Sequence, residues 1–200
     1  MKEIIKTQGP AVAAEQLIDV YRSTQDQTSP WVVISDQVMG GVSTAALHQD
    51  QRDNSTCSCL VGRTRLDNNG GFVQMRFDIE PSCLRPDYRG IFIELYGSAH
   101  DYNLHVKTNQ LSRPWQSFRC SLAVEPQWTR FIVPYAQLQT HRTDAEFEPT
   151  EIRSIAVVAI GQAFAVDVCE AAGVFPVNTV VQDCWQHAHK NHHEPYSYIN

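Results

Sequence analysis

Apolar and polar positions alternate along most of this chain in short runs, and turn residues punctuate them. Over residues 72–80, Val73, Met75, Phe77 and Ile79 share one parity, while Phe72, Gln74, Arg76, Asp78 and Glu80 share the other. Successive side chains of a strand point to opposite faces, so the first set faces a core and the second faces solvent or a groove. The same split recurs at Ile91, Ile93 and Leu95 against Phe92, Glu94 and Tyr96. It recurs again at Tyr102, Leu104 and Val106 against Asn103, His105 and Lys107. Such runs predict strands over 17–22, 31–35, 43–49, 58–66, 72–80, 91–96, 102–108, 116–123, 129–134, 154–160 and 164–170. Residues 154–160 are apolar on both faces, which predicts a central strand covered on both sides. Turn signals at Asn69-Gly70-Gly71, Pro81, Gly90, Gly97-Ser98, Pro114 and Gly161 separate the runs. One helical turn is expected near residues 135–139. Many short strands with this spacing predict an all-β fold, a sandwich or a barrel. The shared parity places Trp31, Val73, Met75, Phe77, Ile93, Leu95, Val157 and Val166 in the core.

Two glycine pairs break the alternation. One lies in Asp36-Gln37-Val38-Met39-Gly40-Gly41-Val42-Ser43, the other in Asn69-Gly70-Gly71-Phe72. Each precedes an apolar run. A pair there signals backbone at φ > 0, or backbone too close to another group to carry a Cβ. Neither has phosphate-loop spacing, and no long helical pattern follows to present its N-terminus to a phosphate. Asp36 is expected to accept hydrogen bonds from nearby backbone N–H groups, Met39 to lie over an aromatic ring such as Trp31, and Ser43 to close the turn. The segment is either a rigid corner or a docking loop. In the second case Asp36, Met39, Gly40, Gly41, Ser43, Asn69, Gly70 and Gly71 are binding candidates.

A Trp at position 31, then Asp-x-x-Met-Gly-Gly-x-Ser, then Asn-Gly-Gly-Phe, resembles the complex I intermediate-associated protein 30 family. Tyr88-Arg89-Gly90-Ile91, Tyr102-Asn103-Leu104 after Gly97, and Trp128 with Val133-Pro134-Tyr135 continue the resemblance in order, over residues 17–175. The family's Gly-Asp-Gly-Arg-x-Tyr turn is here Gly97-Ser98-Ala99-His100-Asp101-Tyr102, so its charged residues are missing. The resemblance implies a galactose-binding-domain-like jelly-roll β-sandwich. It also implies an assembly or chaperone-like role, with a protein subunit or assembly intermediate as partner.

A second candidate site is a polar sheet face bearing Arg76, Glu94, Tyr96, Asn103, His105 and Lys107, each out of phase with its strand's apolar set. If their strands are neighbours, an Arg, a carboxylate and an aromatic ring together suit recognition of a sugar or a peptide backbone. The alternative is a solvated face with cross-strand ion pairs. The formal net charge is −6 over 200 residues. That balance argues against nucleic acid, which requires clustered positive charge. No apolar run reaches the roughly 18 residues of a membrane span, which leaves only peripheral membrane association. With no apolar run of signal-peptide length near Met1, a cytoplasmic, monomeric protein with all six cysteines reduced is expected. Asn178–Asn200 is polar and histidine-rich, and reads as a tail or a short helix over 180–189. Cys184, His187, His189, His192 and His193 there are weak metal candidates. The expected division is an extension over 1–14, a sandwich over 15–176 and the tail over 177–200. No serine-hydrolase elbow, zinc-protease or paired-carboxylate motif is present. The chain therefore reads as a non-catalytic binding protein needing no cofactor. A carbohydrate-binding module is the alternative, and an enzyme acting on a sugar or nucleotide is the third reading.

Overall fold

A computed structural model of the chain describes residues 5–7, 29–161 and 165–177. Its strands are β1 (Ile5–Thr7), β2 (Val32–Ser35), β3 (Thr44–Arg52), β4 (Ser55–Arg63), β5 (Phe72–Asp78), β6 (Gly90–Gly97), β7 (His100–Thr108), β8 (Ser117–Val124), β9 (Thr129–Pro134), β10 (Gln139–His141), β11 (Ile152–Ile160) and β12 (Ala165–Val177). Two antiparallel sheets result. Sheet I runs β1-β9-β6-β12-β4-β3 and sheet II runs β10-β8-β7-β11-β5-β2. This is an all-β sandwich, one of the two architectures that the alternation led one to expect, on the galactose-binding-like jelly-roll plan that the family resemblance implied.

Period-two alternation sorts each strand between core and outer face. On β5, Val73, Met75 and Phe77 are buried, and on β7, Tyr102, Leu104 and Val106 are fully so. They meet Ile91, Ile93 and Leu95 of β6 and Phe131 and Val133 of β9 across the sandwich. Trp31 and Phe77 pack with ring centroids 5.5 Å apart. Of the expected core, Trp31, Val73, Met75, Phe77, Ile93, Leu95 and Val157 are all in this cluster. The Val166 side chain lies outside those described. Strand β11 sits inside sheet II between β5 and β7. Its inward Ile155, Val157 and Ala159 and its outward Ser154, Ala156 and Val158 are all buried, as a strand covered on both sides must be.

The structure adds elements the periodicity did not signal. Ile5–Thr7, in the expected N-terminal extension, pairs with β9 at the edge of sheet I. Three-residue β10 pairs with β8. Besides the expected turn at Tyr135–Gln137, 3₁₀ turns form at Asp36–Met39, Asp67–Asn69, Pro81–Cys83 and Pro149–Glu151. Each of these is too short to show a helical period. The strand expected over 17–22, and the tail with Cys184, His187, His189, His192 and His193, lie outside the described residues.

The expectation of six reduced cysteines is overturned. Cys59 on β4 and Cys169 on β12 form a disulfide across a sequence separation of 110. They occupy directly opposed positions of an antiparallel pair, which brings their Cβ atoms together; spacing along the chain does not reveal this. Cys57, Cys83 and Cys120 are thiols.

Candidate functional site

The Met-Gly-Gly segment turns out to be a knot tied around one buried carboxylate. Asp36 is fully buried at the start of the 3₁₀ turn that follows β2. The Ser43 backbone N–H donates to its Oδ1 at 2.9 Å and the Ser43 hydroxyl to its Oδ2 at 2.5 Å. The N–H groups of Gly71 and Phe72 donate to Oδ2 at 2.5 and 3.4 Å. The Arg65 N–H donates in turn to Ser43 Oγ at 3.0 Å. One side chain thereby joins the start of β3, the end of β4 and the start of β5. Burial alone would raise the Asp36 pKa. The Ser43 hydroxyl and the three N–H donors outweigh it and hold the carboxyl below its usual range.

This knot explains all four glycines. Gly40 and Gly71 take φ of +86° and +120°, where a side chain is strained. A Cβ on Gly41 or on Gly70 would run into the Asp36 carboxyl group. Asn69 closes the Asp67–Asn69 turn, its side chain outside those described, while its neighbour Asn68 donates to the Gly40 carbonyl at 3.3 Å. Asp36 and Ser43 do what the sequence suggested. Met39 does not lie over Trp31, because the left-handed turn at Gly40 leaves it outward and 65% exposed. Val38, also at the tip of this corner, is exposed too, as is Leu66, beside Gly71.

The polar face does not assemble as one unit. Arg76, Asn103, His105 and Lys107 share the outer face of sheet II, whereas Glu94 and Tyr96 are on the outer face of sheet I. Parity assigns a residue to a face of its own strand but not to a sheet. Strands β6 and β7 follow one another through a tight turn, yet the jelly roll sends them to opposite sheets. Their outward faces therefore point away from each other. On sheet I, Glu94 is taken up by the guanidinium of Arg130, its cross-strand partner, which also lies 5.2 Å from the Phe92 ring centroid. Tyr96 packs with Trp128 at 5.6 Å and under Arg52 at 5.3 Å.

On sheet II one row of facing positions crosses all six strands: Val32, Arg76, Ala156, His105, Arg119 and Gln139. A neighbouring row contains Gln74, Val158 and Asn103, and another Asp78, Ser154 and Lys107. The middle strand thus contributes only small or apolar floor residues. Taller polar side chains rise on either side, two strand spacings or about 10 Å apart. Arg76 pairs with Asp78 at 3.1 Å. Lys107, Arg119 and Arg153 have no carboxylate partner among the described ion pairs. His105 Nε2 and Ser117 Oγ are buried with no hydrogen-bond partner among the described residues. Burial and the charges of Arg119, His141 and Lys107 push the His105 pKa down to about 4. Burial, Arg153 and Arg76 lower that of Lys107. Sequence reasoning missed Arg119, Ser117 and the β11 floor. Arg119 lies out of phase with Phe118 and Cys120, so parity could have found it, but nothing in the sequence pairs β8 with β7.

A third cluster lies on the outer face of sheet I. Cys57 Sγ is 3.6 Å from Cys59 Sγ, and the sulfurs of Cys57, Cys59 and Cys169 lie within 4.8 Å of one another, all fully buried. Exposed His48 and Asp50 approach Cys59 equally closely.

The profile of the family described as Complex I intermediate-associated protein 30 (CIA30) matches residues 20–175. The chain belongs to this family. No curated protein matches it in sequence. Among solved structures it resembles the family 11 carbohydrate-binding module of a cellulosomal cellulase of Clostridium thermocellum, at 9% identity and a TM-score of 0.66. That match covers 82% of this chain and 95% of the module. It also resembles the family 30 carbohydrate-binding module of another cellulosomal cellulase of that organism, at 13% identity and a TM-score of 0.56, covering 82% and 99%. At such identity the likeness is one of fold. Family and neighbours alike are non-catalytic kinds of domain. Among the described residues no helix is long and apolar enough to cross a membrane.

Proposed function

We propose that this CIA30 domain is a non-catalytic binding protein that holds an assembly intermediate by an acidic protein segment laid across the outer face of sheet II. The observation that carries this reading is the mismatch of charge on that face. Arg76, Lys107 and Arg119, with Arg153 at the adjoining bulge, stand against Asp78 and, near the start of β7, Asp101, in a chain of net charge −6. Cations that outnumber their counter-charges, above buried polar atoms with no hydrogen-bond partner among the described residues, are poised for an anionic partner that supplies both. The family description supplies the class of partner, an intermediate of complex I. The test is affinity capture from the native host at low salt, comparing wild type with a Lys107→Glu/Arg119→Glu variant. Complex I subunits should be recovered by the wild type, fall away as salt is raised, and be lost with the variant. Equal recovery by both proteins overturns the assignment of this face.

One observation favours a second reading. Trp115 is 52% exposed beside Pro114, whose carbonyl accepts from Lys107 Nζ at 2.5 Å. An aromatic ring at the rim of a polar face suits a sugar ring. A related solved structure holds the family 11 module with a β-1,3-1,4-mixed-linked tetrasaccharide. Retardation by mixed-linked glucan in affinity electrophoresis, lost in Trp115→Ala, supports this reading; migration unchanged by the glucan rejects it.

A further inference from the structure

We propose that Cys57, Cys59 and Cys169, with His48 as fourth ligand, form a zinc site in the reduced protein, and that oxidation closes it as the Cys59–Cys169 disulfide. A disulfide needs two sulfurs, and here a third lies 3.6 Å away on the same face of the same strand. Tetrahedral zinc with Zn–S bonds of about 2.3 Å sets its sulfurs about 3.8 Å apart. The three sulfurs, all within 4.8 Å of one another, need only small shifts to reach that spacing once the S–S bond opens. The register supplies the rest. His48, Cys59 and Cys169 are consecutive cross-strand neighbours on β3, β4 and β12, and Asp50 faces Cys57. His48 is exposed while the sulfurs are buried, so the ion has a way in from the β3 side. Three thiolates and an imidazole are a closed, soft set of the kind that holds structural zinc. The alternative donor beside His48, the Asp50 carboxylate, is a harder ligand and already bonds the Gln51 N–H and Arg52.

The chemistry balances in both directions. A thiol or phosphine reductant delivers two electrons to the disulfide, and the sulfurs take up two protons. Zinc then displaces the protons of the three cysteines and accepts the neutral His48 nitrogen. A disulfide oxidant reverses this: it gains the two electrons as two thiolates, Cys59 and Cys169 join, zinc leaves, and Cys57 regains its proton. The site lies on the sheet opposite the basic face and does not rest on the function proposed for that face.

The experiment uses the full chain, reduced by a phosphine under nitrogen and titrated with Co²⁺ as the probe, followed by Zn²⁺. The reduced wild type should take up one equivalent, with thiolate-to-cobalt charge transfer and tetrahedral ligand-field bands that zinc abolishes. The disulfide form should take up none. Cys57→Ser, which leaves the disulfide intact for folding, should lose about a third of the charge-transfer intensity, one thiolate of three. His48→Ala should keep that intensity and bind zinc more weakly. Cys184→Ala should behave as wild type. No stoichiometric uptake by the reduced protein overturns the proposal. So does full uptake by Cys57→Ser together with its loss in Cys184→Ala, which would place the metal in the histidine-rich C-terminal segment.

Discussion

The Asp36 corner and the outer face of sheet II both take polar groups out of water, and they treat them in opposite ways. At the corner every acceptor of Asp36 is used: the Ser43 N–H and hydroxyl, the Gly71 N–H and the Phe72 N–H converge on one carboxylate. On the face, His105 Nε2 and Ser117 Oγ are buried without such partners among the described residues, amid cations that repel one another. A closed network of this kind stiffens and specifies a fold, whereas an open one leaves donors and charge for something else to satisfy. The Met-Gly-Gly segment is therefore bound into the fold by its own hydrogen bonds, whereas the face keeps polar groups that no described residue satisfies.

Removing the hub of the closed network should have the largest effect. Asp36→Ala strands the buried Ser43 and Gly71 N–H groups and leaves the Ser43 hydroxyl only the Arg65 carbonyl at 3.3 Å, and each stranded buried group costs roughly 1–3 kcal/mol. Urea unfolding should show a loss of about 3 kcal/mol or more. His105→Ala should show no comparable loss, because it removes a group that burial leaves unsatisfied. A smaller loss at Asp36 than at His105 would erase the contrast between the two regions.

The same contrast should divide the acid limb of stability into two windows. His105 has a folded pKa of about 4, below the 6.5 of the free side chain, so the unfolded chain takes up its proton first. Its contribution is intact above pH 6.5 and drains away between pH 6.5 and 4. At about 1.4 kcal/mol per pKa unit that loss is about 3 kcal/mol at most. Asp36 is also depressed, from 3.8, so its contribution is intact above that value and is lost as pH falls through the lower folded one. Replacing His105 by Gln should flatten the upper window and leave the lower one. A profile of unfolding free energy against pH that stays unchanged in His105→Gln would show that the histidine is not held neutral.

How far the sequence could be read follows from what periodicity measures. Period two assigned Val73, Met75 and Phe77 inward and Arg76 outward, because that signal depends on a single strand. It could not say that β6 and β7 part company, so it grouped Glu94 with Lys107. It could not bring Cys59 to Cys169 either, because register between distant strands is fixed by the whole topology. The glycine pairs were legible as constraints on the backbone. That Asp36 is the group Gly41 and Gly70 must avoid became visible only when β3, β4 and β5 were seen to converge.

Alanine at the glycines should separate two kinds of constraint at a smaller scale. Gly40→Ala has open space but a φ of +86°, and should cost about 1 kcal/mol. Gly41→Ala has no φ penalty, yet its Cβ drives into the Asp36 carboxyl and must disturb the network. It should cost more than Gly40→Ala in equilibrium unfolding. The reverse order would mean that the carboxylate moves aside freely and that the corner is less rigid than its hydrogen bonds imply.

The smallest effect on stability should come from the face, and that smallness gives it meaning. Lys107 and Arg119 stand on neighbouring strands of sheet II, with no carboxylate partner among the described ion pairs. Reversing either charge therefore breaks no salt bridge, and exposed pairs are worth only about 0–1 kcal/mol in any case. Lys107 gives up one bond, to the Pro114 carbonyl, which water can replace. Arg119→Glu brings a carboxylate beside His105 and Lys107, relieving their mutual repulsion, so its melting temperature should hold or rise slightly. Binding should move the other way, because an anionic segment now meets an anion at the middle of the row. Arg76→Glu is the weaker probe, since Arg76 already answers Asp78 and its reversal places two carboxylates side by side. Arg119→Glu should therefore keep its melting curve and lose the partner, while Gly41→Ala should lose stability first. If Arg119→Glu keeps both, the face is only a solvated surface. The exposed tip of the corner, Val38 and Met39, would then be the surface to mutate next.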